Sequence, residues 1–206
     1  MKEQNKKEMI LDAMQELMST ASTQTISVSD IAQRAGIGKG SIYYYFSSKN
    51  DIIEAVIERS YSRVLDEGQA LACSDGMNAL EKLEIIYQAC QEASLELKRK
   101  EALDTFSQQQ QSALIHQKCT GMIITRLGPI LTDILRQGEL EGTIRCSYTK
   151  EAARIILTTL TVTIDNVLAP LDPQEIRQIM AAFAVMLEKS LGLSTNSLDF
   201  LVEKVL

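Results

Sequence analysis

The most informative stretch of the chain reads SVSDIAQRAGIGKGSIYYYFSSK, residues 27–49. Ser27 begins a Ser-x-x-Asp pattern that Asp30 completes, and this pattern is a signature of a helix start. Gly36 then ends the helix, because glycine takes the left-handed conformation at low steric cost. The segment GKGS, residues 38–41, opens a second helix. Two short helices joined by a tight glycine turn predict a helix-turn-helix.

The start of the second helix carries side chains suited to reading DNA. In a helix-turn-helix this helix lies in the major groove, with its N-terminal residues against the base edges. Lys39, Gly40 and Ser41 occupy that position here. Lysine donates to guanine acceptors or to a phosphate, serine bonds either, and glycine lets the backbone approach closely. These three residues are therefore predicted DNA contacts.

Three consecutive tyrosines, Tyr43, Tyr44 and Tyr45, follow in the same helix. Ile42 and Phe46 are spaced i and i+4 and are predicted to face the core, so the tyrosines cannot all share that face. Their hydroxyls suit phosphate oxygens, and their rings suit sugars or thymine methyl groups. A β-strand over residues 42–46 is the alternative, because this run is rich in β-branched and aromatic residues.

Three more predicted contacts are Ser27, Ser29 and Lys49, each at or next to a helix start. Backbone amides at helix starts already favour an anion, so these positions suit a DNA phosphate. Ser48 and Asp51 repeat the Ser-x-x-Asp signature and predict the start of a third helix.

The combined pattern resembles the DNA-binding region of the TetR/AcrR family of bacterial transcriptional regulators, over roughly residues 9–57. The matching pieces are VSDIA (28–32), AG (35–36), KGSIY (39–43), YF (45–46) and SK (48–49). The resemblance implies an N-terminal helix-turn-helix, a homodimer, and an all-helical C-terminal domain that binds a small molecule and releases DNA.

Length and composition favour an all-α protein. The chain has 206 residues, of which 45% are hydrophobic, with only 3 prolines. We expect a three-helix helix-turn-helix DNA-binding domain over residues 1–50 and a larger helical effector-binding and dimerisation domain over residues 51–206. The start of the chain, MKEQNKKEMI, has no apolar segment typical of a signal peptide, which leads us to expect a cytoplasmic location.

The formal net charge of −6 is unusual for a DNA-binding protein, since phosphate contacts favour a basic surface. Residues 1–50 hold six basic and five acidic side chains and carry +1, so the remainder carries −7. The acidic charge is therefore concentrated away from the helix-turn-helix.

Function classes other than DNA binding have little support. The chain has a single histidine and no phosphate loop or paired-carboxylate motif, so we do not expect an enzyme. The four cysteines form no Cys-x-x-Cys pair and the chain has one histidine, so a structural zinc site is not expected. No cofactor is expected either. The alternative function is a helical protein that binds small molecules or senses redox state through a thiol, with weak or absent DNA function.

A long helical segment is predicted from about residue 113 to Gly138, and Gly128 and Pro129 should kink or divide it. Gly138 and Gly142 are expected to bound the turn that follows.

Two apolar helices are predicted near the end of the chain, over residues 150–168 and from Asp172 to Leu191. Asp172 caps the second helix, with Pro173 at the first helical position and Glu175 at the third, and Gly192 ends it. Their apolar residues spread wider than one buried stripe needs, which favours a two-fold dimer with a four-helix interface. Residues proposed to line an effector pocket mix aromatic surface with polar groups: Tyr87, Phe106, His116, Met122 and Phe183.

Overall fold

The computed structural model describes residues 2–21, 23–101, 117–165 and 171–203, and the elements in these ranges are helical, as expected. The bounds of the helices are α1 Lys2–Met18, α2 Val28–Arg34, α3 Lys39–Tyr45, α4 Lys49–Ala72, α5 Ala79–Glu101, α6 Gly128–Glu141, α7 Thr149–Asp165, α8 Pro173–Leu191 and α9 Phe200–Glu203. Residues 117–122 are also helical and lead into a π-helical turn, Ile123–Leu127.

The chain forms two compact units. Unit 1 comprises residues 1–62 and 93–118, and unit 2 comprises residues 63–92 and 119–206. Helices α4 and α5 each contribute residues to both units. The functional boundary expected between residues 50 and 51 stays a prediction.

In unit 1, α1, α2 and α3 pack together with the first half of α4. Ile10 and Met14 of α1 and Ile31 of α2 are fully buried, as is Ile42 of α3. Three buried isoleucines near the start of α4 complete this core: Ile52, Ile53 and Ile57. Residues 42–45 lie in α3, so the helical interpretation is confirmed and the strand alternative is wrong. Ile42 and Phe46 are both buried, with Phe46 directly after the helix in extended backbone.

The turn between α2 and α3 follows the pattern read from the sequence. Gly36 has a φ of 66°, the left-handed conformation that glycine adopts without strain. The N–H of Ile37 donates to the carbonyl of Ala32 at 3.0 Å, which satisfies an otherwise unpaired carbonyl at the helix end. Gly38 caps α3 with extended backbone and no side-chain hydrogen bond.

Unit 2 is built on α6, α7 and α8, with the start of α5 and with α9. Ile134 and Leu135 of α6, Ala153 of α7 and Met180 of α8 are buried. Helix α8 begins as the sequence predicts: Asp172 accepts hydrogen bonds from the N–H groups of Gln174 and Glu175 at 2.8 and 2.9 Å.

Gly128 and Pro129 were expected to kink or divide a long helix, and the helical pattern changes there. The π-helical turn Ile123–Leu127 lies directly before α6. Proline has no N–H to donate to the carbonyl four residues earlier, that of Thr125, so the regular α-helical bonding pattern fails at this point.

One predicted turn is wrong at one of its two ends. Gly138 and Gly142 were expected to bound it, but α6 continues through Gly138 to Glu141. Gly142 does end the helix, with a φ of 74°. Gly138 instead allows close packing, because a Cβ there would lie 2.4 Å from Cδ1 of Ile144.

Within the described ranges, no helix is both long and apolar enough to cross a lipid bilayer.

Candidate nucleic-acid interface

Helix α3 presents its predicted DNA contacts on the side away from the core. Lys39 and Gly40 are exposed and Ser41 is half-buried. Tyr43 and Tyr44 are 52% and 72% exposed, large values for aromatic side chains. With Ile42 anchored in the core, the opposite face of α3 thus offers an ammonium group, a bare backbone segment and tyrosine hydroxyls to solvent.

Tyr44 and Tyr45 stand edge to face, with ring centroids 4.9 Å apart and an interplanar angle of 83°. Tyr45 is half-buried. An edge-to-face contact restrains both rings, so the half-buried Tyr45 helps to fix the orientation of the exposed Tyr44 ring. Phe46 is in turn approached by the Lys7 ammonium, 5.8 Å from its ring centroid, a cation–π contact that links α1 to the end of α3.

Ser27 caps α2. Its hydroxyl accepts from the N–H of Asp30 at 3.2 Å and donates to the Asp30 carboxylate at 2.7 Å. The Ser27 N–H donates to the same carboxylate at 2.7 Å. The hydrogen bonds from the side chain and backbone of Ser27 lower the pKa of Asp30 from its ordinary value. Both donors of Ser27 are therefore used within the helix start, while Ser29 is exposed.

Lys49 is turned inward rather than toward solvent. Its Nζ donates to the carbonyls of Thr23 at 2.7 Å and Ile26 at 2.9 Å, with the Gln24 carbonyl at 3.4 Å. An ammonium group has three donors, and three carbonyls occupy them. Lys49 thus holds the loop before α2, and the structure does not present its charge for a phosphate.

Ion pairs fix the helices that support this surface. Arg59 of α4 donates to Asp12 at 2.7 Å and to Glu8 at 3.1 Å, and it also bonds the amide oxygen of Gln15, all on α1. Arg34 of α2 pairs with Glu16 of α1. These contacts hold α1 against α2 and α4, and so support the base of the helix-turn-helix.

The residues predicted to line an effector pocket are not gathered in one described cavity. Tyr87 is 6% exposed, its hydroxyl donates to the Leu201 carbonyl at 3.0 Å, and it packs on Phe200 with centroids 5.7 Å apart. Burial raises the pKa of Tyr87 to about 12. Tyr87 is thus a core residue that fastens α9 to α5.

The other pocket candidates lie apart from it or outside the described ranges. Phe183 is buried in α8, and Met122 is half-buried just before the π-helical turn. Phe106 and His116 fall outside the described residues.

Unit 2 also contains a cleft that sequence reasoning missed, which we call the basic cleft. Ile124 and Pro129 form its apolar side, and Arg136, Lys150 and Arg154 bring positive charge to it. One signal in the sequence was available: Lys150 and Arg154 are spaced i and i+4 on α7, so two like charges share one helix face.

Of the four cysteines, Cys73 is exposed, Cys119 is buried, and Cys90 and Cys146 are half-buried. Burial raises the pKa of the Cys90 thiol to about 12. A thiol that stays protonated at neutral pH is a poor nucleophile, so the structure gives no support to Cys90 as a redox sensor.

Two family models match the chain. Residues 10–56 match bacterial regulatory proteins of the tetR family, and residues 91–186 match the tetracyclin repressor-like C-terminal domain. The first match contains the whole helix-turn-helix, and the second falls in the region predicted to bind an effector.

Two curated relatives match over shorter stretches. The HTH-type transcriptional regulator YvdT of Bacillus subtilis (strain 168) is 42% identical over 62 residues, which is 30% of this chain and 32% of that protein. The HTH-type transcriptional repressor KstR of Rhodococcus jostii (strain RHA1) is 27% identical over 84 residues, 41% and 38% of the two chains. The chain thus spans about a third of the length of the curated relatives it matches.

Solved structures share the fold over most of the chain. The fatty acid degradation regulator FadR from Bacillus halodurans superposes with a TM-score of 0.59 at 23% identity, covering 78% of this chain and 82% of that one. SmeT, the repressor of the Stenotrophomonas maltophilia multidrug efflux pump SmeDEF, gives 0.62 at 20% identity, covering 93% and 92%. SmeT has also been solved as a complex with triclosan.

Proposed function

The chain belongs to the tetR family of bacterial regulatory proteins, and we propose that it is a repressor that leaves a palindromic operator when a small molecule binds. The observation that carries the proposal is the outer face of α3. Its ammonium, open backbone and exposed tyrosine hydroxyls occupy the positions that a recognition helix directs at DNA.

The contacts divide by what each side chain can recognise. Lys39 and Ser41, with Gly40 between them, are the proposed readers of base edges. Tyr43, Tyr44 and Ser29 are the proposed phosphate contacts, with Tyr45 supporting Tyr44. Ser27 and Lys49 are assigned a structural role, since their donors are already bound within unit 1.

A homodimer supplies the second recognition helix that a palindrome requires. Exposed apolar side chains on α7 and α8 support it, since each helix leaves part of its apolar surface uncovered in the single chain: Ile155, Val162, Ile179, Val185 and Met186. Two copies of α7 and α8 would cover these faces in a four-helix interface.

The effector-binding role rests on the C-terminal domain match and on its analogy with SmeT, which binds triclosan. The coupling would be a shift between two dimer geometries that alters the spacing of the recognition helices. A coupling free energy of about 1–3 kcal/mol is typical of such switches.

Selection from random duplex DNA tests the DNA-binding role. We expect the full-length protein to enrich an inverted repeat whose half-sites lie about one helical turn apart, roughly 10 base pairs. Tyr44→Ala should weaken binding to all duplexes alike, whereas Ser41→Ala should change which base is preferred in the half-site. Failure of the parent protein to enrich any sequence would contradict the proposal.

A further inference from the structure

The basic cleft has the size and composition of a small ligand site. It lies between the π-helical turn, α6 and α7, and its volume is about 390 Å³. Small-molecule sites commonly fall between roughly 300 and 1,000 Å³ and combine apolar walls with a few polar groups. Ile124 and Pro129 supply the apolar wall here.

The charge of the cleft is positive in a chain whose net charge is −6. Among the described residues that line it are three basic side chains, those of Arg136, Lys150 and Arg154, and a single acid, Asp133. The Arg136 guanidinium contacts Asp133 at 3.4 Å, a long and exposed ion pair. Across the described ranges, no carboxylate lies within ion-pair distance of Lys150 or Arg154.

Like charges lie close together in the basic cleft. Lys150 and Arg154 repel one another across one turn of α7, a like-charge pair that costs a few tenths of a kcal/mol. Arg136 adds a third positive charge from α6. A bound anion would replace this repulsion with attraction.

The threonine hydroxyl groups in the cleft have their protons engaged within the protein. Thr125 donates to the Gly121 carbonyl at 2.8 Å, and Thr132 donates to the Gly128 carbonyl at 2.8 Å. Both hydroxyl protons are thus held by backbone carbonyls. The hydrogen-bond donors left for a ligand are those of the three basic side chains.

We propose that the basic cleft binds an organic anion, a molecule with an aromatic or aliphatic body and one carboxylate or phosphate group. The anionic group would lie between Arg154, Lys150 and Arg136, since arginine matches the two oxygens of such groups bidentately. The apolar body would lie on Ile124 and Pro129. Binding at this site does not depend on the proposed DNA-binding role, so the two proposals fail separately.

Isothermal titration calorimetry on the full chain without DNA tests the proposal, with three probes that share a naphthalene body. We expect 2-naphthoate or 2-naphthyl phosphate to bind, and the neutral 2-naphthamide to bind at least tenfold more weakly or not at all. Comparison of the first two probes tells whether the site prefers a carboxylate or a phosphate. Equal binding of the amide, or no binding by either anion, overturns the proposal.

Three variants locate the site. Arg154→Gln should lower the affinity for the preferred anion by roughly threefold to tenfold. Asp133→Asn should tighten binding, because the change frees Arg136 and removes the one acid among the described residues that line the cleft. Arg177→Gln, which alters an exposed arginine on α8 outside the cleft, should leave the affinity unchanged.

Thermal melts followed by circular dichroism show whether each variant is folded, and Lys150→Gln replaces Arg154→Gln if the latter is not. Unchanged affinity in a folded Arg154→Gln or Lys150→Gln protein, or weaker binding in Asp133→Asn, overturns the assignment to this cleft.

Discussion

The ammonium group of Lys49 shows how a charge near a DNA-binding surface can serve the fold instead. Its bonds to the carbonyls of Thr23 and Ile26 close the loop between α1 and α2. Buried carbonyls that lose a charged donor carry an uncompensated desolvation cost, about 1–3 kcal/mol for each group. Lys49 therefore acts on the stability of unit 1, whereas Lys39 is free to act on binding.

Lys49→Met and Lys39→Met form a matched pair that separates the two roles. We expect Lys49→Met to lower the free energy of unfolding by roughly 1–3 kcal/mol, as measured by urea denaturation. Lys39→Met should leave stability within about 0.5 kcal/mol of the parent, because Lys39 is exposed.

DNA affinity measured at several salt concentrations should show the opposite order. Lys39→Met should lower the affinity, because it removes a positive charge that faces the DNA, and it should also relax the base preference in the half-site. A folded Lys49→Met protein should retain the parent slope of log K against log salt. A reduced slope in Lys49→Met with normal stability would return Lys49 to the set of phosphate contacts.

Asp30 gives the start of α2 a predictable response to acid. Because its pKa in the folded state lies below the ordinary value of 3.8, the ionised carboxylate stabilises the folded state at neutral pH. That contribution is lost as the pH falls from the ordinary value through the lowered one. We expect Asp30→Asn to be less stable than the parent at pH 7, with the difference shrinking below about pH 4.

The urea midpoints of parent and variant at pH 7, 5 and 3.5 check this expectation. In a Ser27→Ala background, Asp30→Asn should cost less at pH 7, since the hydroxyl bond to the carboxylate is already gone. A stability difference that is the same at all three pH values would show that the charge of Asp30 is not involved.

Among the helices, α6 depends on a glycine in its interior. A Cβ at Gly138 would lie 2.4 and 2.7 Å from the side chain of buried Ile144 and 3.1 Å from Cβ of Ala79. Helix propensity favours alanine over glycine by up to about 1 kcal/mol, but overpacking costs about 1–3 kcal/mol, so the steric term should dominate. We expect Gly138→Ala to destabilise the protein in thermal denaturation.

Gly121→Ala is the control, because this glycine is also helical and no atom lies within 4 Å of the added Cβ. It should be neutral or slightly stabilising. Gly138→Ala combined with Ile144→Val should recover part of the loss, since valine lacks the clashing Cδ1. A stable Gly138→Ala protein would mean that Ile144 has room to move.

Helix ends followed from the sequence more reliably than helix interiors. Helix caps depend on residues only a few positions apart in the sequence. Three of them lie where the pattern predicted: the Ser27–Asp30 cap, the Asp172–Glu175 cap and the helix end at Gly192. Gly138 was predicted to end a helix, but it lies inside α6. A glycine is needed there because a Cβ would clash with Ile144, after the next turn, and with Ala79 on another helix. Such contacts have no local signature.

The candidate site shows the same division. The exposed face of α3 follows from helical periodicity once Ile42 and Phe46 are taken as core. The acceptors of Lys49 lie 23 to 26 residues earlier in the chain, and Tyr87 bonds a carbonyl 114 residues later. Spacing along the sequence cannot reveal partners at such separations, so Lys49 was predicted as a DNA contact and Tyr87 as a pocket residue without knowledge of these bonds.

At the scale of the whole molecule, a single chain leaves part of its apolar surface exposed to solvent. On α8, exposed Ile179, Ala182, Val185 and Met186 follow helical spacing and form one stripe, which we call the α8 stripe. On α7, Ile155 and Val162 lie two turns apart and are also exposed. An exposed stripe of this kind on two consecutive helices is typical of a subunit interface.

Met186→Glu should therefore convert a dimer into a monomer, because it places a charge in the α8 stripe at a side chain that is 67% exposed in the single chain. Leu140→Glu is the matched control: Leu140 is 91% exposed on α6, away from that stripe, and its variant should remain dimeric. Sedimentation velocity at micromolar concentration gives the masses.

The Met186→Glu monomer should also lose most of its affinity for a full inverted repeat while binding single half-sites weakly, because it offers one recognition helix instead of two. A dimeric Met186→Glu protein, or a monomeric parent, would contradict the proposed two-fold interface.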